Sequence, residues 1–172
     1  RIGQAYLQGG IGFGGPCLEK DLVSLISQSR RRGLEVPLFQ AVLQVNDRQQ
    51  AAFCRRVEER FPDLRQRCFA VWGLSYKGGT DDIRCSPAVK IVEHLWQRGA
   101  SLRVYDPQAM PRAKRLWRDR IRSESGQQRL SFAGDRWEAV EGADALLILT
   151  DWLEFIETDW QPLKEKMASP VV

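Results

Sequence analysis

From Cys68 onward the chain switches repeatedly between two periodicities, and that alternation limits the possible folds more than any other feature. Phe69-Ala70-Val71-Trp72 is a short apolar run stopped by Gly73, the pattern of a strand buried on both faces. Ser86 and Pro87 then form an N-cap and first helical residue, and Val89, Val92, Leu95 and Trp96 follow at helical spacing until Gly99. Leu102 to Tyr105 reads as the next strand, and a basic helix comes after it. A weak strand around Leu130-Ser131-Phe132 and a short helix around Trp137–Val140 lead to the apolar run Ala145–Leu149. Strands alternating with helices predict a doubly wound α/β layer on a parallel sheet.

The first third of the chain is different. Gly12, Gly14 and Gly15 surround Phe13, and Pro16 and Cys17 follow directly. Glycines so close together let the backbone turn sharply and approach a ligand. Lys20 and Asp21 open an apolar-periodic run, Leu22, Val23, Leu25 and Ile26, that predicts a helix from about Lys20 to the stop signals Arg30-Arg31-Arg32-Gly33. Cys17 then stands on a loop at a helix N-terminus, where the positive end of the dipole favours a thiolate, and Asp21 lies one turn on, on the same face. A thiol, an ammonium and a carboxylate beside a glycine cradle suit covalent catalysis. Taken alone, the same residues also fit a small buried cysteine before an ordinary helix. A second helix is predicted from Pro37 to Phe61, with Leu38, Ala41, Val42, Val45, Ala52, Phe53 and Val57 at helical spacing. Such a rod is roughly 36 Å long, suited to an interdomain spacer or a dimer seam, and its Cys54 suits packing.

Three blocks carry a resemblance. Arg1-Ile2-Gly3, Tyr6-Leu7 and Gly12 to Asp21 are similar to the active-site segment of the UDP-glucose and GDP-mannose dehydrogenases. Gly73 to Arg84 with Ser86-Pro87, and Arg103-Val104-Tyr105-Asp106-Pro107, resemble the nucleotide-sugar-binding domain of the same family, and the blocks occur in family order. The resemblance implies a central α-helical segment followed by a doubly wound Rossmann-like parallel-sheet domain, divided as 1–64 and 65–172, the latter truncated at its C-terminus. The chain opens at Arg1 inside a motif and ends at Val171-Val172 as a strand begins, so a piece of a longer protein is expected, lacking the N-terminal NAD-binding domain and the family's upstream lysine.

The resemblance also implies an activity: two NAD-dependent oxidations of a nucleotide sugar, UDP-glucose to UDP-glucuronate, through a thiohemiacetal and thioester on Cys17. It assigns Cys17, Asp21 and Lys20 to catalysis, and Arg1, Tyr6, Gln8, Gly12, Phe13, Gly14, Tyr76 and Lys77 to substrate. Lys20 and Arg84 fall to the cofactor, and the amides of Gly12 to Gly15 would wrap the sugar. The lead-in looks more like the UDP-glucose branch than the GDP-mannose branch. Arg1 matches an arginine that reaches a neighbouring subunit, which with the 37–61 helix implies a homodimer or higher oligomer. Pro16, Glu19 and Cys85 replace the serine, proline and glutamate common in the family, and Gln8 a basic residue of some members. Without the resemblance, Gly73–Thr80 is as readily an ordinary βα turn, and the chain a non-catalytic nucleotide-binding or scaffold module.

Composition narrows the alternatives. Hydrophobic residues make up 43% and charged residues 28%, which suits a globular domain with a real core. No apolar run is long enough to span a bilayer and no secretory leader is visible. Cysteines 17, 54, 68 and 85 lack zinc-site spacing, and with one histidine a metal centre is not expected; a reducing, cytoplasmic setting is. The net charge of +4 is concentrated between Arg112 and Arg122, where Leu116, Trp117 and Ile121 are expected to turn inward. No nucleic-acid-binding motif surrounds that helix, so a solvated basic face is expected rather than a nucleic-acid or membrane partner. A product destined for polysaccharide biosynthesis would be in keeping with the family.

Overall fold

The computed structural model describes residues 9–123, 129–169 and 171–172. The first two helices are α1 (Leu18–Arg31) and α2 (Pro37–Arg60). The remainder runs β1 (Cys68–Trp72), α3 (Pro87–Gln97), β2 (Ser101–Tyr105), α4 (Met110–Ser123), β3 (Leu130–Phe132), α5 (Arg136–Val140), β4 (Ala145–Ile148), α6 (Leu153–Ile156) and α7 (Trp160–Lys166). The helix expected from Lys20 begins two residues earlier, and its stop is the expected one. Gly33 N–H donates to the Arg30 carbonyl and Leu34 N–H to that of Ser29, both at 3.0 Å, closing a Schellman motif.

The strands form one parallel sheet in the order β3-β2-β1-β4. Chain order runs outward from β1 through β2 to β3, then returns to the other side of β1 with β4. The topological switch point therefore lies between β1 and β4, above their carboxyl ends. Side chains of β1 alternate between two cores, as strand geometry requires. Phe69 and Val71 pack with Ile91, Val92 and Leu95 of α3 and with Trp117 of α4. Ala70 and Trp72 pack with Ala139 and Val140 of α5, Phe155 and Leu163. Helices on both faces explain why β1 and β4 read as continuous apolar runs rather than alternating ones.

The cap expected at α3 is present, and α5 carries one that its sequence reading did not single out. The Ser86 hydroxyl accepts from Ala88 N–H at 3.2 Å, with Pro87 opening α3. Asp135 caps α5 by accepting from Trp137 and Glu138 N–H at 2.7 and 2.8 Å. Along α4 the buried stripe is Ala113, Trp117 and the partly buried Ile121, four residues apart; Leu116, expected inward, is 46% exposed because it lies off that stripe. At the C-terminus Val171, expected to begin a strand, accepts one bond from Leu146 N–H at 2.8 Å.

The long helix does not bury the stripe its apolar residues predict. Its buried positions are Asn46, Gln50, Cys54 and Val57, one face at i, i+4, i+8 and i+11. Asn46 bonds the glycine loop and Gln50 packs beside Gly12, while Cys54 and Val57 join Phe61 and Leu64 in the core under α3. Leu38 and Val45 are left 71% and 62% exposed.

Candidate active site

Two loops meet above the sheet. The first, Gly12 to Cys17, is held on α2 by Asn46: Phe13 N–H donates to Asn46 Oδ1 at 2.8 Å, and Asn46 Nδ2 donates to the Phe13 carbonyl at 3.0 Å. Gln49 Nε2 adds a bond to the Gly10 carbonyl at 2.8 Å. The second loop, Gly73 to Arg84, leaves the carboxyl end of β1. Gly15 N–H joins the two by donating to the Arg84 carbonyl at 3.2 Å. The approach is close enough to exclude side chains. A Cβ on Gly14 would strike the Cys85 carbonyl, and one on Gly15, at φ +89°, would lie 2.8 Å from the Tyr76 ring. Cys85 itself sits at φ 51°, an uncommon conformation for a residue with a Cβ.

This junction brings Gly12, Phe13, Gly14, Cys17, Lys20, Tyr76 and Arg84 to one region. Cys17 is exposed and caps α1 through its carbonyl, which accepts from Asp21 N–H at 2.8 Å. Lys20 Nζ lies 2.7 Å from Asp21 Oδ1, and both side chains are exposed. The Asp21 hydrogen bond and charge hold the Lys20 ammonium above its ordinary value, and the Cys17 thiolate charge adds a smaller contribution. Cys17 acts in the same sense on Arg84, whose guanidinium is raised chiefly by its two-oxygen contact with Asp82 at 3.0 and 2.6 Å. That contact holds the Asp82 carboxyl below the usual carboxylate range. Lys77 is exposed, lies 5.7 Å over the Tyr76 ring, and forms no ion pair among the described residues. Arg1, Tyr6 and Gln8 lie outside the described residues.

Of the four amides expected to wrap a sugar, two are already engaged: Phe13 N–H on Asn46 and Gly15 N–H on Arg84. Both act as struts that bind the loop to the rest of the protein. Glu19, where the family commonly has proline, lies 3.8 Å from Lys90 of α3, a surface pair of small energetic weight. Two concavities of about 300 and 350 Å³ run along α2, one against α3 and one beside Gly9 and Gly10. Neither is lined by Cys17 or Lys77, both of which are exposed. No group of metal-ligating side chains occurs among the described residues, and no described helix is long and apolar enough to cross a membrane.

Several positioning residues escaped sequence reasoning. Asn46 lies inside a helix otherwise read by its apolar residues, and its polar pairing with Gln50 at i+4 was the available signal. Thr150 and Asp151, after β4, also hold the second loop: Thr150 Oγ1 donates to the Ser75 carbonyl at 2.7 Å, and Asp151 accepts from Gly78 N–H at 2.9 Å.

A parallel sheet with the Gly73–Arg84 loop at its switch point, joined to a cysteine-bearing glycine loop, defines a Rossmann-like α/β protein. The chain belongs to the UDP-glucose/GDP-mannose dehydrogenase family: its residues 1–48 match the central domain of that family and residues 70–172 its UDP-binding domain. It is 36% identical over 173 aligned residues to a UDP-glucose 6-dehydrogenase of Rhizobium meliloti, covering all of this chain and 37% of that protein. Among solved structures it is similar to a UDP-glucose dehydrogenase of Pyrobaculum islandicum, with a TM-score of 0.82 and 32% identity over 93% of this chain and 35% of the other. A GDP-mannose dehydrogenase of Pseudomonas aeruginosa gives 0.74 and 27%, over 90% and 35%. The chain thus spans little more than a third of the length of these relatives, which are sugar-nucleotide oxidoreductases.

Proposed function

We propose that this chain supplies the cysteine loop and the nucleotide-sugar-binding layer of an NAD-dependent nucleotide-sugar 6-dehydrogenase acting on UDP-glucose. The supporting observation is the loop junction: with Gly15 bonded to Arg84 and Gly14 against Cys85, Cys17 stands beside the loop that carries Tyr76 and Lys77. A nucleotide sugar held by Tyr76 and Lys77 would reach toward Cys17 past the Gly12 and Gly14 amides. Arg1, Tyr6, Gln8 and Phe13 complete the proposed substrate set.

NAD, when bound, supplies the hydride acceptor, two NAD in succession taking the two hydrides lost from the sugar C6. Lys20 and Arg84, both largely exposed beside Cys17, would face it. The chain's own chemistry is covalent capture. The Cys17 thiolate adds to the C6 aldehyde to give a thiohemiacetal, oxidation leaves a thioester on Cys17, and water opens that thioester to the carboxylate and frees the thiol. Asp21, one turn into α1, would orient that water. The proposed division is 1–64 for the loop and helical segment and 65–172 for the sugar-nucleotide layer, in a cytoplasmic enzyme. The exposed Leu38 and Val45 of α2, with Val23 and Leu25 of α1 at 51% and 43%, support association through this helical part as a homodimer or larger assembly.

Cys17→Ser in the complete enzyme tests the chemistry. Uronate formation is expected to cease while UDP still binds; formation at the wild-type rate would show that Cys17 is not the nucleophile. Steady-state rates on UDP-glucose and GDP-mannose decide the base.

A further inference from the structure

Beneath the second loop, Asp106 is 1% exposed, yet among the described residues its carboxylate meets six donors. Oδ1 accepts from Gln108 and Ala109 N–H at 2.9 and 2.7 Å, turning the chain into α4. Oδ2 points the other way, accepting from Leu74 N–H at 2.8 Å, Ser75 N–H at 3.0 Å and Ser75 Oγ at 2.9 Å. The Trp152 indole N–H is shared between Asp106 Oδ2 at 3.2 Å and Ser75 Oγ at 3.1 Å. A single buried side chain after β2 therefore ties together the loops that follow β1 and β4.

Its position has a clear physical need. β1 ends at Trp72, so the amides of Leu74 and Ser75 have no strand ladder to enter, and buried amides without acceptors are strongly disfavoured. A carboxylate is acceptor on both oxygens and bonds more strongly for being charged. Asparagine, of the same shape, would have to turn an NH2 toward donors on one side or the other. The residues shaped by this anchor are the next ones along, Tyr76 and Lys77, and the far side is pinned by Thr150 on the Ser75 carbonyl and Asp151 on Gly78.

We propose that Asp106 is the positioning residue of the nucleotide-sugar site, holding Leu74 and Ser75 so that Tyr76 and Lys77 face the ligand, without touching the ligand itself. The proposal rests on the assignment of this loop to the nucleotide sugar, and the test separates the two.

UDP is titrated calorimetrically into the chain at 25 °C for the wild type, Asp106→Asn, Ser75→Ala, Trp152→Phe and Lys77→Ala, each checked for folding by circular dichroism. Asp106→Asn is expected to weaken UDP binding about tenfold or more while folded, since small displacements of a site are costly. In the complete enzyme it should raise KM for the nucleotide sugar more than it lowers kcat, a split that loss of stability alone would not produce. Wild-type UDP affinity in a folded Asp106→Asn overturns the proposal. Where Asp106→Asn does not fold, unchanged affinity in both Ser75→Ala and Trp152→Phe overturns it instead. If Lys77→Ala weakens binding but the anchor variants do not, only the positioning role falls; if Lys77→Ala also binds UDP normally, the assignment of the loop falls with it.

Discussion

Cys17 is exposed at the start of α1, whereas Cys54 is buried in α2, where desolvation and then the charge of Glu58 push its thiol up to about 11. Burial likewise raises the half-buried Cys68. Because the thiolate is the reacting form, iodoacetamide at pH 8 should modify Cys17 and Cys85 well before Cys54 and Cys68, as read by peptide mass spectrometry over time. Early modification of Cys54 would contradict its place in the core. Lys77 raises a different question, since it is exposed and has no ion-pair partner among the described residues. Charged hydrogen bonds contribute about 1.5–3 kcal/mol, so Lys77→Ala should weaken UDP-sugar binding about ten- to a hundredfold, with little effect on melting temperature. Unchanged substrate affinity would remove Lys77 from the site.

The junction of α2 and α3 carries a small polar clasp. Glu58 meets His94 Nε2 at 2.9 Å and Arg98 Nε at 3.1 Å. The hydrogen bond from His94, then the charge of Arg98, hold the Glu58 carboxyl below its ordinary value against the opposing cost of desolvation. A carboxyl depressed in the folded state stabilises above its unfolded value, about 4.3, and that contribution is lost as pH falls through the folded value. Glu58→Gln should therefore lower the melting temperature at pH 7 and converge with the wild type at a pH below the folded value of Glu58. The clasp is partly exposed, so the expected difference is a few degrees at most. An equal difference at both pH values would show that the carboxylate charge is not what matters. The rest of α2 explains why its apolar spacing misled: the helix turns Asn46 and Gln50 inward, Asn46 to bond the glycine loop, and Leu38 and Val45 outward. That outward stripe is available to a second copy or to a further domain.

As a whole, the molecule brings the Gly73–Arg84 loop and the cysteine loop together at one exposed region. Gly10, Gly12 and Gly15 have the G-x-G-x-x-G spacing ahead of α1, but among the described residues no strand leads into them, so they are not the strand–turn–helix that holds a dinucleotide. Calorimetry on the 172-residue chain should therefore show UDP binding and no NAD binding below about 1 mM; sub-millimolar NAD affinity would require a dinucleotide site within these residues. What the sequence determined by itself was local. Strand and helix order from Cys68 to Leu149, the caps at Ser86 and Gly33, and the Gly12–Asp21 loop are written in neighbouring residues, because periodicity and capping act over a few positions. What only the tertiary structure decided was which distant groups complete one another. Asp106 lies 31 and 32 residues from the amides it holds, Thr150 lies 75 from its carbonyl, and Asn46 lies 33 from Phe13. An aspartate in a strand-end motif reads as polar and solvent-facing until the fold surrounds it with unpaired amides. Leu38 and Val45 likewise read as core until the fold packs the opposite face of α2, since helical spacing shows that a stripe exists but not what lies against it.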